Sequence, residues 1–169
     1  MTSDRPIFLI GMPGAGKSTL GVLLAKTLAR PYVDTDLLIQ QDAGMTLQDY
    51  LDQYGYLALR ALEEKVLLAS NFSDSVVATG GSVVYSDKGM ARLGKLGIRV
   101  YLNISCDTMA ARVCDSATRG LASAPGTSMK MLYAERKPLY MRYADCTVNL
   151  DDLDFEQSLN SLMAAVPSQ

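Results

Sequence analysis

Eight residues near the amino terminus, Gly11-Met12-Pro13-Gly14-Ala15-Gly16-Lys17-Ser18, constrain this chain more than any others. They follow the short apolar run 7–10 and lead into a helical pattern, so the spacing G-x-x-x-x-G-K-[ST] lies between a predicted strand and a predicted helix. In that setting the glycines let consecutive backbone N–H groups turn inward around a phosphate, and the positive end of the following helix adds to the field. Gly14, Ala15 and Gly16 form the cradle, and Thr19 continues into the helix. Lys17 reaches the outer phosphates, where its charge counts most during transfer, and the Ser18 hydroxyl is placed to ligate Mg²⁺. A chain with this loop is expected to bind a nucleoside triphosphate.

What surrounds the loop narrows the chemistry. The 169 residues, 49% hydrophobic, suit one domain, 1–169, with a real core. A net charge of -2, with acids and bases interspersed, offers no footprint for nucleic acid. The first residues lack a basic region before a long apolar one, and the apolar runs fall well short of a membrane span, so a cytoplasmic protein with no membrane partner is expected. Cys106, Cys114 and Cys146 are odd in number and form no C-x-x-C pair, which points to free thiols rather than a disulfide framework or zinc. The chain has no histidine. That removes Ser-His-Asp chemistry and imidazole acid–base catalysis, and leaves proton handling to carboxylates, Lys, Tyr or the substrate.

Short β-like runs at 7–10, 32–34, 75–79, 99–103 and 146–149 alternate with helical patterns at 17–29, 46–70 (broken near Gly55), 86–96, 106–115, 129–143 and 154–165. This alternation predicts an α/β fold, a five-stranded parallel sheet flanked by helices on both faces. The small, polar segment 116–128 contains Arg119 and reads as a lid before the helix that carries Arg136. Ligands in such sheets collect beyond the carboxyl ends of strands. Asp34-Thr35-Asp36 and Thr79-Gly80-Gly81 stand there. Asp34 suits a metal-bound water and Asp36 a hydroxyl; the alternative is Asp36 as a helix cap beside a solvated Asp34. Gly80 and Gly81 permit close backbone approach to a ligand or simply a tight turn. Arg60 has Glu63 and Glu64 three and four residues on, the spacing of a surface ion pair, and by spacing alone Arg112 and Arg136 are equally open.

Taken in order, GMPGAGKST, the DTD at Asp34 to Asp36, LRALEE around Arg60, TGG at Thr79 to Gly81, the loop with Arg119 and ERKPLY around Arg136 resemble the shikimate kinases over nearly the whole chain. The resemblance implies a P-loop kinase fold with a short lid and ATP-dependent phosphorylation of the 3-hydroxyl of shikimate. It implies that Arg60 and Arg136 bind the substrate carboxylate, Asp36 holds the reacting hydroxyl, and Gly80 and Gly81 line the ring. Ser18 and Asp34 would share the Mg²⁺ shell, Lys17 and Arg119 would neutralise the phosphoryl group in flight, and Arg112 would stack on adenine. A monomer is the default for this fold. Three features depart from the family pattern: Ser82 replaces a third glycine, Gly120 replaces the usual proline, and the 116–128 segment is slightly short. Kinases of other hydroxy acids such as gluconate, and a kinase-like module that binds ATP without turnover, are the competing readings. A nucleoside monophosphate kinase fits less well, because the DTD carboxylates would repel a phosphorylated acceptor.

Overall fold

The computed structural model describes residues 5–114 and 121–166. Its five strands are all parallel, in the order β2-β3-β1-β4-β5. The central strand β1 (Ile7–Gly11) is buried throughout, between β3 (Val76–Ala78) and β4 (Ile98–Asn103), with Ile7 in register with both Val76 and Ile98. An uninterrupted apolar run rather than an alternating one is what a strand covered on both faces requires. The shorter β2 (Tyr32–Asp34) and β5 (Cys146–Asn149) form the edges.

Seven α-helices cover this sheet among the described residues: α1 (Lys17–Thr27), α2 (Thr35–Ala43), α3 (Leu47–Ala69), α4 (Asp87–Leu96), α5 (Cys106–Cys114), α6 (Met129–Tyr143) and α7 (Phe155–Ala165). Side chains alternate across a strand, so Leu9 faces α1, while Ile10 and its register neighbour Tyr101 face α6, where Tyr101 stacks on Tyr140 at 5.2 Å. The main core lies on both sides of β1. A smaller cluster of Ile39, Leu59, Leu62, Val66 and Ala122 ties α2 and α3 to the segment after residue 120. It gives the region opposite the phosphate loop its own support.

Most expected elements are present, with two informative differences. Helix α1 stops at Thr27 rather than running to residue 29, because Ala29 turns left-handed (φ 52°) just before Pro31. Helix α2 has no counterpart in the sequence pattern. Strand β2 has only three residues and runs into α2 with no intervening loop, so the change of period occurs inside the DTD itself. The break at Gly55 (φ 82°, ψ 168°) falls where the sequence indicates, and the Thr46 side chain caps α3 by accepting from the Asp49 N–H. No helix among the described residues is long and apolar enough to cross a membrane.

Candidate active site

At the carboxyl ends of β1, β2 and β3 a cleft of ≈ 1050 Å³ runs from the phosphate loop to Asp36, Glu63 and Arg136, with Leu121 and Ala122 along its wall. Chain topology puts it there: β1 is flanked by β3 on one side and β4 on the other, so the connections leave in opposite directions and open a crevice.

The loop between β1 and α1 has the backbone its glycines allow. Gly16, at the amino end of α1, adopts φ 90°, a conformation that a side chain would strain, and so turns the first helical N–H groups toward the cleft. Lys17 Nζ donates to the carbonyls of Gly11 and Met12, each at 2.8 Å, which holds the ammonium over the loop. Ser18 Oγ donates to Asp34 Oδ2 at 2.8 Å. The other Asp34 oxygen accepts from the Asp36 backbone N–H at 3.0 Å and caps α2. The cap is therefore Asp34, not Asp36, and the Asp36 side chain lines the cleft instead. A hydroxyl and a carboxylate side by side at a phosphate cradle are the hard oxygen donors Mg²⁺ takes alongside substrate phosphates and water. The residues present fit that ion.

Gly80 and Gly81 serve close approach. A Cβ on Gly80 would lie 2.4 Å from Glu63 Oε1 and 3.0 Å from Asp36 Oδ1, and one on Gly81 would lie 2.8 Å from Arg136 Nη1. The bare backbone lets two carboxylates and a guanidinium crowd one stretch of wall. Thr79 Oγ1 holds the end of β3 to the Leu9 carbonyl at 2.8 Å, and Thr35 Oγ1 accepts from the Gly80 N–H at 3.1 Å.

The arginines resolve the readings their spacing left open. Arg60 does not spend its donors on Glu63 or Glu64: Nε and Nη2 reach the Ala122 carbonyl at 3.1 and 2.9 Å. Arg136, only 1% exposed, donates from Nη2 to the same oxygen at 3.1 Å. Two guanidinium groups from α3 and α6 thus converge on one acceptor. Arg112, exposed on α5, lines the phosphate-loop end of the cleft and donates to the Gly14 carbonyl at 3.0 Å. Arg119 and Gly120 lie outside the described residues, as does most of the amino-terminal half of the expected lid; of that lid the structure describes 121–128.

Glu63 is a cleft residue that sequence reasoning misses: its spacing from Arg60 suggests an exposed ion-pair partner, yet it is 3% exposed and lines the cleft. The signal was present in the helical period, because Glu63 shares its stripe with Leu59, Leu62, Val66 and Leu67, all buried. Ser82, the departure from a third glycine, turns its hydroxyl to Glu63 Oε2 and donates to it. Burial pushes the Glu63 carboxyl up to about 7; Asp36 adds to the rise, while Ser82, Arg136 and Arg60 oppose it. A carboxyl that binds its proton more tightly in the folded chain stabilises that chain at low pH and loses the contribution as pH rises from 4.5 to about 7. Relative to Glu63→Gln, the wild-type unfolding free energy is expected to fall by about 3 kcal/mol across that window. Denaturant titrations of both proteins at several pH values measure it, and a constant difference between them would show Glu63 to be ionised throughout.

Comparison with known proteins shows what the chain is similar to. The family model described as shikimate kinase matches residues 13–167. The chain belongs to the shikimate kinase family. A shikimate kinase of Paracidovorax citrulli (strain AAC00-1) is 38% identical over 148 residues, covering 85% of this chain and 81% of the relative. One from Sulfurihydrogenibium sp. (strain YO3AOP1) is 34% identical over 163 residues, covering 96% and 98%. Among solved structures, a shikimate kinase from Acinetobacter baumannii in complex with shikimate superposes with a TM-score of 0.83 at 28% identity, over 96% of this chain and 91% of that one. Membership in the shikimate kinase family makes this chain a kinase, an ATP-using transferase of the shikimate pathway in aromatic amino acid biosynthesis.

Proposed function

We propose that this kinase transfers the γ-phosphoryl group of ATP to the 3-hydroxyl of shikimate, using the residues gathered in the cleft. One observation carries the reading: three donors from Arg60 and Arg136 meet at a single oxygen, Ala122 O, within 3.1 Å. A substrate carboxylate offers the same kind of acceptor with a full negative charge, and guanidinium groups bind it with charge-assisted hydrogen bonds. A compact ring acid anchored there lies along Gly80 and Gly81 and brings its hydroxyls to Asp36.

Each residue then has a task. Gly14, Ala15, Gly16 and Thr19 surround the ATP phosphates, Lys17 exchanges its loop carbonyls for phosphate oxygens, and Arg112 stacks on the adenine. Arg119 supplies a second positive charge at the moving phosphoryl group. Ser18 and Asp34 would hold Mg²⁺, which would offset the negative charge of the ATP phosphates. An alcohol is a far weaker acid than a carboxylic acid, so it is not deprotonated beforehand by a carboxylate. It need not be, because the nucleophile in a loose phosphoryl-transfer transition state gains little charge until late. Asp36 orients the hydroxyl and accepts its proton as the new P–O bond forms. The segment 116–128 closes over both substrates and keeps out water that would otherwise take the phosphoryl group.

The same reading takes the chain as a monomer with a single domain over 1–169 in the cytoplasm, a compartment that the free thiols of Cys106 and Cys146 suit. ADP release from Mg·ATP, measured with shikimate, with gluconate and with neither, tests the reading, using Lys17→Ala as the blank. Release that needs shikimate and vanishes in the blank is the expected result. Release driven by gluconate would reassign the acceptor, and none with either would favour binding without turnover.

A further inference from the structure

Two arginines on separate helices bind one carboxylate well only if something keeps both in place. Arg60 is a half-buried residue of α3 between the buried Leu59 and the exposed Ala61, and its long side chain has many rotamers. Arg136 comes from α6. Between them stands Tyr85, the last residue of the short 3₁₀ turn Val83–Tyr85 that follows Gly80 and Gly81. The Arg60 guanidinium lies over the Tyr85 ring at 3.6 Å from its centroid, with the Tyr56 ring at 5.0 Å. The Tyr85 hydroxyl accepts from Arg136 Nε at 3.2 Å and donates to the carboxylate of Glu135. One side chain therefore holds Arg60 by its face and Arg136 by its oxygen.

We propose that Tyr85 is a positioning residue for the acceptor carboxylate, fixing the Arg60–Arg136 pair so that their donors converge before the substrate arrives. The proposal rests on the carboxylate reading given above. It explains why the donors meet at one oxygen: the ring leaves the edge of the Arg60 guanidinium free to donate in its own plane, and the hydroxyl occupies Arg136 Nε so that Nη2 is the donor turned to the same point. Stacking and edge donation are compatible for a planar guanidinium, whereas an ammonium offers no such plane. The hydroxyl is also placed in a relay, because donating to Glu135 strengthens its capacity to accept from Arg136. The turn that carries Tyr85 is anchored independently of the substrate: Val83 and Val84 are buried, and the Ser86 side chain caps α4 behind it.

Tyr85→Phe and Tyr85→Leu separate the two halves of this role. Phe keeps the ring beneath Arg60 and loses the hydroxyl, so the shikimate KM is expected to rise about threefold. Leu loses both, and the rise is expected to be about tenfold or more, with far smaller changes in kcat and in the ATP KM. A merely structural role would move all three constants together. The cycle with Arg60→Ala is the sharper test, because once Arg60 is gone Tyr85→Leu should cost only the roughly threefold that loss of the hydroxyl alone costs. Independent, multiplicative losses in that cycle, or an unchanged shikimate KM in Tyr85→Leu, would overturn the proposal while leaving the acceptor reading intact. A wild-type enzyme that shows no shikimate-dependent ADP release would overturn both.

Discussion

Asp36→Asn is expected to lower kcat with shikimate by about 10² or more, with the ATP KM changed only a few-fold. Asparagine keeps the shape and one acceptor oxygen, so the hydroxyl can still be bound; what disappears is the charge that takes up the proton late in the transfer. The size of the loss follows from that division. Orientation alone survives, and the transition-state component is removed. Single-turnover phosphoryl transfer, followed by rapid quench, separates this step from product release. A variant with near-normal kcat would show that proton transfer from the hydroxyl does not depend on Asp36. The neighbouring carboxyl supplies a second reading of the same substitution, since the Asp36 charge is one of the influences that raises Glu63. With asparagine in place, Glu63 ionises more readily, so the pH-dependent loss of stability described above still begins near 4.5 but ends at lower pH and is smaller.

How much of this site was legible in the sequence depended on whether a residue's task was local. The phosphate loop could be read because its function is carried by backbone conformation, and Gly16 at φ 90° is where the motif requires a glycine. Strand β1 could be read because burial on both faces leaves no room for polar alternation. Helix α2 could not, because a three-residue strand that turns directly into a helix offers too few residues for either period to show. Arg60 and Glu63 share one helical face at i and i+3, and sequence spacing favours a bond between them. Their real partners, Ala122 and Ser82, lie far along the chain and are brought in only by the packing of α3 against the rest of the fold. Ser82 illustrates the limit well. A serine in place of a glycine does not name its partner from sequence, and the buried Glu63 carboxyl that accepts from it is supplied only by the fold.

Arg136→Met is expected to raise the shikimate KM by about 10² or more and to destabilise the protein in a pH-dependent way. The first effect is the loss of a charge-assisted donor from the carboxylate site; Arg136→Lys should recover only part of it, because an ammonium cannot donate to Ala122 O and Tyr85 Oη from one fixed plane. The second effect comes from Glu63. Breaking a buried charge pair by removing one partner costs about 3–5 kcal/mol when the remaining group must stay ionised. Glu63 need not stay ionised, since burial already holds its carboxyl near 7 and Arg136 is one of the charges that keeps it from rising further. At about pH 6 the variant protonates Glu63 and the loss is small; at about pH 8 the carboxylate must either remain charged opposite Asp36 with only Arg60 and Ser82 in support, or take up a proton from a dilute solution, and the full cost is felt. Unfolding free energies of wild type and Arg136→Met at these two pH values measure the difference directly. The double variant Arg136→Met with Glu63→Gln should remove the pH dependence and leave the KM defect, which separates the arginine's work on the substrate from its work on the buried acid.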